Sequence, residues 1–424
     1  MSLINRQLWM SQGYIESLEE GSNNLEDTGN SYVLNLLCRS FLELVRIDGD
    51  AGEVYKFKMH DLMHDLALKV TGNECKMIDL NESGIIRGIL TSLLEATNLR
   101  TFISMKEWNK SEHNYFPNEH HEIISKFRHC RALCLGGEDF WIPPSLGSRL
   151  KHLRFLDISR NQSIQNLPYS ITNLNLTTLP RDLKKLVNVR FLLIDGCGSL
   201  SHMPCGLSHL SKLQTLNLCV VQKMDHKVPG GVGSLDELGA LNRFFGSIVL
   251  QNLQFLQSVS NKGHLQEKKS NVSCCLELSW STKQQDGKID SNELILWENL
   301  RPYSNLIILT INSCMNRSSP SYWLSSMANL IELTVDSCRE RMYMPSLREL
   351  PSQRTLTLVD SYASEFVEKI IDLEFVSNEY YEIISKFRHY RAFCLGSEDF
   401  WIPPSLGSQL KHLRFIDISR NPSI

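Results

Sequence analysis

The chain has 424 residues, 42% hydrophobic and 21% charged, so it is too long for one ordinary compact domain and too apolar to be disordered throughout. Its 44 Lys and Arg against 47 Asp and Glu give a net charge of −3, which excludes the basic excess typical of nucleic-acid-binding proteins. The sequence has no apolar run long enough to predict a membrane span, and its N-terminus does not resemble a secretion signal. Its 12 cysteines are scattered and form no C-x-x-C pair, which favours a reduced compartment such as the cytoplasm.

The first segment, residues 1–75, predicts two helices, a hairpin and a third helix. Apolar residues recur at helical spacing between Val33 and Leu44. Two short apolar runs flank the sequence Asp48-Gly-Asp-Ala-Gly, which favours a turn between antiparallel strands. The order of these elements is the layout of a small winged-helix domain. The last helix has an apolar face formed by Met59, Leu62, Met63, Leu66, Ala67 and Val70.

The polar side of this last helix carries His60-Asp61-Leu-Met-His64-Asp65, and the chemistry of these residues leaves three interpretations open. The two histidines have the i, i+4 spacing of metal ligands, but no third ligand with suitable spacing is near them. A His–Asp pair also occurs in catalytic sites, yet no nucleophile is placed beside it. The third interpretation is a solvated helix face with an aspartate near the positive helix N-terminus.

Residues 76–98 are predicted to link the winged helix to leucine-rich repeats over residues 99–424. Starts that are 24 residues apart, such as Leu306 and Leu330, have the period of leucine-rich repeats. Alternate side chains of a strand point to opposite faces, so parallel copies would stack their leucines into one apolar spine. The pattern L-x-x-L-x-L begins at Leu153, Val189, Leu213, Leu306 and Leu330, with weaker versions at Cys130, Phe245, Ser273 and Gln353.

The predicted fold class is therefore α/β: an irregular leucine-rich-repeat horseshoe, a solenoid, preceded by a small winged-helix domain. The alternative is an ordinary α/β domain with leucine-rich strands. Starts at Leu153 and Val189 are 36 residues apart, which predicts a strained or bulged spine between them.

One segment of the repeats occurs twice. Residues 378–424 are a near-copy of residues 118–164, with 39 of 47 positions identical. Whole loops are kept in the copy, which indicates a recent duplication rather than the drift of structural repeats. We expect the second copy to form the same strands and turns as the first, with a less protected last strand at residues 413–418.

The residues between the repeat leucines are expected to point outward and to form a concave protein-binding face. Their mixture of charged and aromatic side chains suits a protein surface better than a phosphate backbone. The predicted face consists of Arg154, Phe155, Asp157, Arg190, Phe191, Asp195, Gln214, Thr215, Asn217, Ile307, Thr310, Glu332, Thr334 and Asp336.

Four stretches of the chain match three motifs that occur together in one family. They are Leu8-Trp-Met-Ser-Gln-Gly-Tyr-Ile, Lys58-Met-His-Asp-Leu-Met-His-Asp-Leu-Ala, and the repeat stretches at residues 179–186 and 195–207. They resemble the start of the winged-helix segment, the MHD motif and a characteristic part of the repeats of plant intracellular disease-resistance receptors. These receptors are the coiled-coil class of nucleotide-binding leucine-rich-repeat proteins. The likeness extends over essentially the whole chain.

The resemblance implies that ADP and ATP are the cofactors of the complete family. His60 would then contact the phosphates of ADP, and Asp61 would support the local fold, whereas His64-Asp65 is interpreted as a helix-surface pair. The chain departs from the family because Met1 stands at the edge of the winged helix and no G-x-x-x-x-G-K-[ST] occurs. Without that loop no backbone cradle for phosphates exists. We therefore expect that this chain alone binds no cofactor, does not hydrolyse ATP and is not an enzyme.

The resemblance further implies a protein-interaction and regulatory fragment of a cytoplasmic plant immune receptor, interpreted as N-terminally truncated. Its repeats would recognise a pathogen effector or a guarded host protein in the defence response, and would keep the switch domains closed. One alternative is a complete ADP/ATP-switch receptor whose upstream nucleotide-binding exons are missing from the sequence. Another is a generic leucine-rich-repeat scaffold, such as an adaptor in ubiquitination.

Overall fold

The chain divides into two compact units, Met1–Asn166 with Asp182–Gly198, and Leu167–Arg181 with Ser199–Ile424. None of the helices in the described residues is both long and apolar enough to cross a lipid bilayer. The computed structural model describes residues 3–15, 25–49, 52–71, 99–103, 126–135, 142, 145–160, 177–197, 200–222, 235–239, 241, 246–256, 273–280, 297, 300–302, 305–314, 321–338, 352, 355–359, 392–396 and 415–417.

The N-terminal elements have the order that the sequence predicts. They are α1 (Leu3–Gln12), α2 (Leu25–Cys38), β1 (Leu42–Gly49), β2 (Gly52–Met59) and α3 (Asp61–Thr71). Strands β1 and β2 form an antiparallel hairpin in which Leu42 pairs with Met59 and Gly49 with Gly52. The order helix, helix, hairpin, helix is confirmed. The boundaries of the linker at 76–98 stay predictions, because residues 72–98 lie outside the described ones.

The apolar face of α3 lies largely at the surface. Leu62, Leu66 and Val70 are 73%, 50% and 77% exposed. Residues four apart lie on one side of a helix, so these three side chains form a single exposed row. The apolar periodicity identified the helix correctly, but this row of the face does not pack into a core.

The repeat region consists of short strands joined by turns and single-turn helices. Its strands are β3 (Thr101–Ile103), β4 (Ala132–Cys134), β5 (Phe155–Asp157), β6 (Thr177–Thr178), β7 (Phe191–Leu193), β8 (Leu200–His202), β9 (Thr215–Leu216), β10 (Leu218–Val220), β11 (Gly246–Gln251), β12 (Ser273–Ser279), β13 (Ile308–Asn312), β14 (Glu332–Asp336), β15 (Thr355–Val359), β16 (Ala392–Gly396) and β17 (Phe415–Asp417). Its helices are α4 (Leu146–Arg149), α5 (Asp236–Gly239), α6 (Ser321–Leu324) and the 3-10 helices Arg181–Lys185, Leu207–His209 and Leu253–Phe255.

The strands stack in parallel, as the repeat pattern predicts. In the first unit β3, β4, β5 and β7 are parallel neighbours in that order. In the second unit β10 to β17 form one parallel sheet in chain order. Its register places Leu276, Leu309 and Leu333 side by side on three successive strands.

The repeat leucines form the predicted spine. The motif residues of the five regular repeats are at most 3% exposed. Each contributes apolar area that a single strand could not bury alone, so neighbouring repeats stabilise one another. The leucine-rich-repeat architecture is therefore confirmed. The buried residues are Leu153, Leu156, Ile158, Val189, Leu192, Ile194, Leu213, Leu216, Leu218, Leu306, Leu309, Ile311, Leu330, Leu333 and Val335.

Carboxylates of following repeats cap the short helices. Asp182 accepts hydrogen bonds from the backbone N–H groups of Gly147 and Ser148, at 3.1 and 2.9 Å, in the first turn of α4. In the second unit Glu237 accepts from Gly206 and Ser208, each at 3.0 Å. At Gly147 a Cβ would lie 1.8 Å from the carbonyl oxygen of Asp182, so only glycine permits this approach.

Removing one of these caps should weaken the first unit. We expect Asp182→Ala to lower its free energy of unfolding by about 1 kcal/mol, because two backbone N–H groups at a helix N-terminus lose their acceptor. Urea unfolding followed by circular dichroism measures the effect. Asp182→Asn keeps one acceptor oxygen and should cost less. Equal stability of Asp182→Ala and wild type would show that the cap contributes nothing.

The irregularity that the spacing predicts between Leu153 and Val189 is present at β6 and not between β5 and β7. Strands β5 and β7 pair directly, Phe155 with Phe191 and Asp157 with Leu193, without a shift in register. The expected bulge is therefore absent from this strand pair. The second unit instead pairs β6 with β8, where the register shifts between Thr177 and Thr178.

The second copy of the duplicated segment repeats the strands of the first. Strands β16 and β17 pair Ala392 with Phe415 and Cys394 with Asp417. The equivalent pairs 260 residues earlier join β4 and β5 in the same register. The prediction is confirmed for these strands. The loops of the second copy lie outside the described residues, and lower protection of the last strand stays a prediction.

Candidate functional site

Helix α1 ends on the first repeat strands. The sequence ends the helix at Gly13, which has φ +84° and whose N–H donates to the carbonyl of Met10 at 3.2 Å. The side chains of Gln7, Met10 and Ser11 in α1 are buried. Within the first unit α1 packs against β4 and β5. The winged-helix segment and the first repeats thus form one packed body.

Two arginines of the repeats bind the C-terminal end of α1. The guanidinium of Arg131 donates to the carbonyl of Gln12 at 3.1 Å, and that of Arg154 donates to the carbonyl of Ser11 at 3.3 Å. The side-chain amide of Gln12 donates in turn to the hydroxyl of Thr101 at 2.9 Å. The last carbonyls of a helix lack intrahelical partners and carry partial negative charge, so cations stabilise them.

These arginines belong to a row of four on neighbouring strands. Arg131 donates its backbone N–H to Arg100 at 2.7 Å, Arg154 to Arg131 at 2.7 Å, and Arg190 to Arg154 at 2.8 Å. Burial lowers the pKa of Arg154, and the charges of Arg131 and Arg190 lower it further. A guanidinium remains charged at neutral pH despite such a shift. The row therefore concentrates positive charge at the end of α1.

The predicted outward face is partly wrong in the first repeats. Phe155, Phe191 and Asp157 in these repeats are buried rather than exposed, and so is Thr215 in the second unit. Helix α1 covers the outer side of β4 and β5, and the rings of Phe155 and Phe191 lie 6.1 Å apart. The other predicted residues are accessible: Asp195 is exposed, and Arg154, Arg190, Gln214, Asn217, Ile307, Thr310, Glu332, Thr334 and Asp336 are half-buried. Their role in binding a protein stays a prediction.

Asp157, at the end of β5, is a buried carboxylate. It accepts the backbone N–H of Ser159 at 3.0 Å, and the Ser159 hydroxyl donates to Asp195 at 2.5 Å. Burial raises the pKa of Asp157 above 3.8, its usual value, and the nearby charge of Asp195 adds to the shift. The hydrogen bonds from Ser159 and the charge of Arg160 oppose it. The ionised carboxylate therefore costs folding free energy.

This shift gives a pH dependence whose sign is defined. Because the folded-state pKa is raised, the folded protein takes up the proton before the unfolded chain does. Stability should thus rise as pH falls from neutrality toward the unfolded-state pKa of about 4. Asp157→Asn should be more stable than wild type at pH 7 and lose this advantage near pH 4. Thermal melting at both values checks it, with Glu43→Gln, an exposed carboxylate on β1, as control. An advantage for Asp157→Asn that is equal at both values would contradict this explanation.

The second unit has a face of different chemistry. Thr310, Thr334 and Thr357 lie in one row across β13, β14 and β15. The row continues onto β12, where Glu277 pairs with Thr310. The side-chain amide of Asn312 donates to Glu277 at 2.7 Å. Burial raises the pKa of Glu277, and this hydrogen bond opposes the shift. Hydroxyls and carboxylates thus replace the arginines of the first repeats.

The predicted MHD residues lie where β2 ends and α3 begins. His60 is exposed and its Nδ1 accepts the backbone N–H of Leu62 at 3.3 Å, so His60 caps the helix. The other ring nitrogen, Nε2, is then the N–H donor of the neutral ring. Asp61 lies 3.5 Å from the ammonium of Lys58. In the described residues no cluster of three or more His, Cys, Asp or Glu could hold a metal.

Sequence reasoning missed Thr101, Gln12 and Arg131 as members of the contact. A signal was present, because an arginine precedes each of the strands β3, β4, β5 and β7. These arginines are over 80 residues away along the chain from the end of α1, and no local sequence pattern connects the strands with the helix.

Comparison with known proteins identifies both parts. Residues 3–67 match the disease resistance protein winged helix domain. Residues 235–361 match the R13L1/DRL21 leucine-rich repeats. Among solved structures, a leucine-rich-repeat protein of Leptospira interrogans has 15% identity and a TM-score of 0.34, covering 79% of this chain and 87% of that one.

Relatives of known sequence agree with these matches. The chain is 30% identical over 376 residues to the putative disease resistance protein RGA1 of Solanum bulbocastanum, covering 85% of this chain and 35% of that protein. It is 26% identical over 389 residues to a putative disease resistance RPP13-like protein 1 of Arabidopsis thaliana, covering 82% and 35%. The chain thus spans about a third of the length of these relatives. It belongs to the plant disease-resistance proteins, with their winged-helix domain and leucine-rich repeats.

Proposed function

We propose that the chain is the recognition and regulatory part of an immune receptor that acts in the cytoplasm. The repeats recognise a pathogen effector or a guarded host protein, and they also restrain the winged-helix segment. The observation that supports this proposal is the contact of Arg131 and Arg154 with the end of α1. Through that contact the repeats that recognise a partner also hold the end of α1 in the winged-helix segment.

The restraint works by competition for one surface. Helix α1 covers the outer side of β4 and β5, so a partner that needs this side must displace α1. A partner shifts the equilibrium between docked and released α1 only by its differential affinity for the two states. A protein seated on the half-buried Arg190 and the exposed Asp195, which flank β7 beside β5, is placed to make such a difference.

Nucleotide binding is a separate part of the proposal. His60 presents an N–H donor at the positive N-terminus of α3, where a phosphate is favoured. One histidine and one helix end lack the neutralising lysine and the backbone cradle of a nucleotide site. We therefore expect ADP to bind this chain weakly or not at all, with no ATP hydrolysis. Isothermal calorimetry with ADP tests it, and sub-micromolar affinity would contradict it.

Recognition by the face can be tested by site-specific photo-crosslinking. A photoreactive phenylalanine replaces Thr334 on the half-buried row of β14, or Ala328, which is exposed in the same repeat after α6. Both variants are expressed in plant leaves with and without a pathogen challenge. We expect partner adducts from position 334 and few from position 328. Equal adducts from both positions would show that this face has no special role.

A further inference from the structure

The turns before strands β4, β5 and β7 are strongly basic. Their segments, residues 126–131, 149–154 and 184–190, contain nine Lys or Arg residues and no Asp or Glu, although the whole chain has a net charge of −3. The equivalent turns of the second unit, residues 208–214 and 325–331, contain one lysine and no arginine. The positive charge therefore belongs to three neighbouring repeats of the first unit rather than to the repeat pattern.

The three turns have the same geometry and lie side by side. In each turn the backbone N–H of the last residue donates to the carbonyl three residues earlier, at 2.9 to 3.0 Å. The rings of His129 and His152 stack with their centroids 6.0 Å apart. The side-chain amide of Asn188 donates to the carbonyl of Lys151 at 2.8 Å. Equivalent side chains of successive turns therefore lie next to one another along one edge of the unit.

Six of the nine basic side chains are exposed and form what we call the basic ridge. The other three, Arg131, Arg154 and Arg190, are half-buried, and the first two bind the end of α1. Asp182, the acidic residue nearest to the ridge along the chain, is engaged with backbone N–H groups of α4. The basic ridge consists of Lys126, Arg128, Arg149, Lys151, Lys184 and Lys185.

The composition of the basic ridge distinguishes among anionic partners. Lysine makes up four of its six residues, and lysine is depleted in protein–protein interfaces, where aromatic residues and arginine are enriched. Single-stranded nucleic acid is held by aromatic side chains that stack on its bases. Phe127 is the one Phe, Tyr or Trp in the three turn segments, and it is completely buried. A surface of anionic lipid head groups requires neither feature, because it attracts each exposed cation separately.

An exposed apolar side chain lies among these charges. Val187 has the turn position that Arg128 and Lys151 have in the two preceding repeats, and it is 47% exposed. Apolar side chains beside basic ones enter the boundary between head groups and acyl chains, and their burial adds to the electrostatic attraction. The exposed valine therefore also favours a lipid surface as the partner.

We propose that the basic ridge binds the surface of a bilayer that contains anionic phospholipid. The contact is peripheral: the lysine and arginine side chains lie against the charged head groups, and Val187 enters the head-group layer. Because each charge acts separately, binding weakens stepwise as charges are removed or screened by salt. The proposal does not depend on the proposed function, because none of the six ridge residues belongs to the predicted protein-binding face.

Sedimentation of the full chain with vesicles tests the proposal. The vesicles contain phosphatidylcholine and phosphatidylserine at about 7:3, and vesicles of phosphatidylcholine alone are the neutral reference. We expect binding to the anionic vesicles that falls when salt is raised from about 0.1 M to about 0.5 M, and little binding to the neutral ones. Arg128→Gln, Lys151→Gln and Lys185→Gln together should weaken binding about 100-fold, because each basic residue near such a surface contributes about fivefold.

A matched control removes the same charge elsewhere. Arg39→Gln, Lys58→Gln and Lys69→Gln together replace three exposed basic residues of the winged-helix segment and should leave vesicle binding nearly unchanged. Val187→Thr keeps the shape of the side chain and adds a hydroxyl, so it should weaken binding about threefold. Circular dichroism verifies that each variant is folded before sedimentation.

Several results would overturn the proposal. The first is no binding to the anionic vesicles, or binding equal to that of the neutral ones. The second is an equal loss of binding in the two triple variants. The third is tighter binding of poly(U) or polyglutamate than of the anionic vesicles, lost in the ridge variant, which would assign the basic ridge to a nucleic acid or to an acidic protein.

Discussion

Trp323→Ala is expected to lower the free energy of unfolding of the second unit by about 3–5 kcal/mol. Trp323 is completely buried, and its indole N–H donates to the backbone carbonyl of Trp297 at 3.0 Å. The rings of Trp280, Trp297 and Trp323 form a chain with centroid distances of 5.5 and 6.4 Å. Alanine would leave a cavity in this cluster as well as remove the hydrogen bond.

The size of the loss follows from marginal stability. Domains are usually stable by about 5–15 kcal/mol, so the variant should unfold at a clearly lower urea concentration. Trp323→Phe keeps an aromatic ring and loses the N–H donor, so it should cost about 1–2 kcal/mol. Intrinsic fluorescence and circular dichroism during urea unfolding measure both variants. An unfolding midpoint of Trp323→Ala equal to that of wild type would mean that the tryptophan cluster does not stabilise the repeats.

The second large effect is the release of α1 when Arg131 and Arg154 are both replaced by alanine. Each guanidinium donates one charge-assisted hydrogen bond to the helix end. At half-buried positions the two bonds together should contribute about 2–3 kcal/mol to docking. Amide hydrogen exchange in residues 3–12 should therefore become roughly 30- to 150-fold faster.

A matched control exists in the same unit. Arg149 is exposed at the end of α4, and the second copy has glutamine at the equivalent position 409. Arg149→Gln therefore removes a charge without touching α1 and should leave its exchange unchanged. Mass spectrometry resolves the exchange of α1 from that of β13 and β14, which should not change in either variant. Equal protection of α1 in the double variant and wild type would show that the two arginines do not hold the helix.

The spine was predictable from the sequence because its signal is local and repeated. Each L-x-x-L-x-L places three side chains inward by strand geometry alone, so one motif predicts burial without knowledge of its neighbours. The same holds for the hairpin around Asp48-Gly-Asp-Ala-Gly, where the turn residues fix the partner strand. The duplicated strands followed from identity with the first copy.

The docking of α1 was not predictable in this way. The contact joins segments over 80 residues apart, and nothing in the periodicity of either indicates the other. Its consequence was missed as well, since Phe155 occupies an outward strand position of β5 and is buried where α1 packs against that strand. An aromatic residue at an outward position, with an arginine before the strand, was the available hint of a covering element.

The position of α1 can be measured directly by cysteine crosslinking. Gln12→Cys with Thr101→Cys places thiols at a contact of 2.9 Å between the native side chains. A short bismaleimide should join them, whereas Gln12→Cys with Lys151→Cys, at an exposed turn after α4, should not be joined. Peptide mapping against the unsubstituted chain identifies links to native cysteines. We expect a 12–101 link and no 12–151 link; a missing 12–101 link, or both in equal yield, would contradict the docking of α1 on the first repeats.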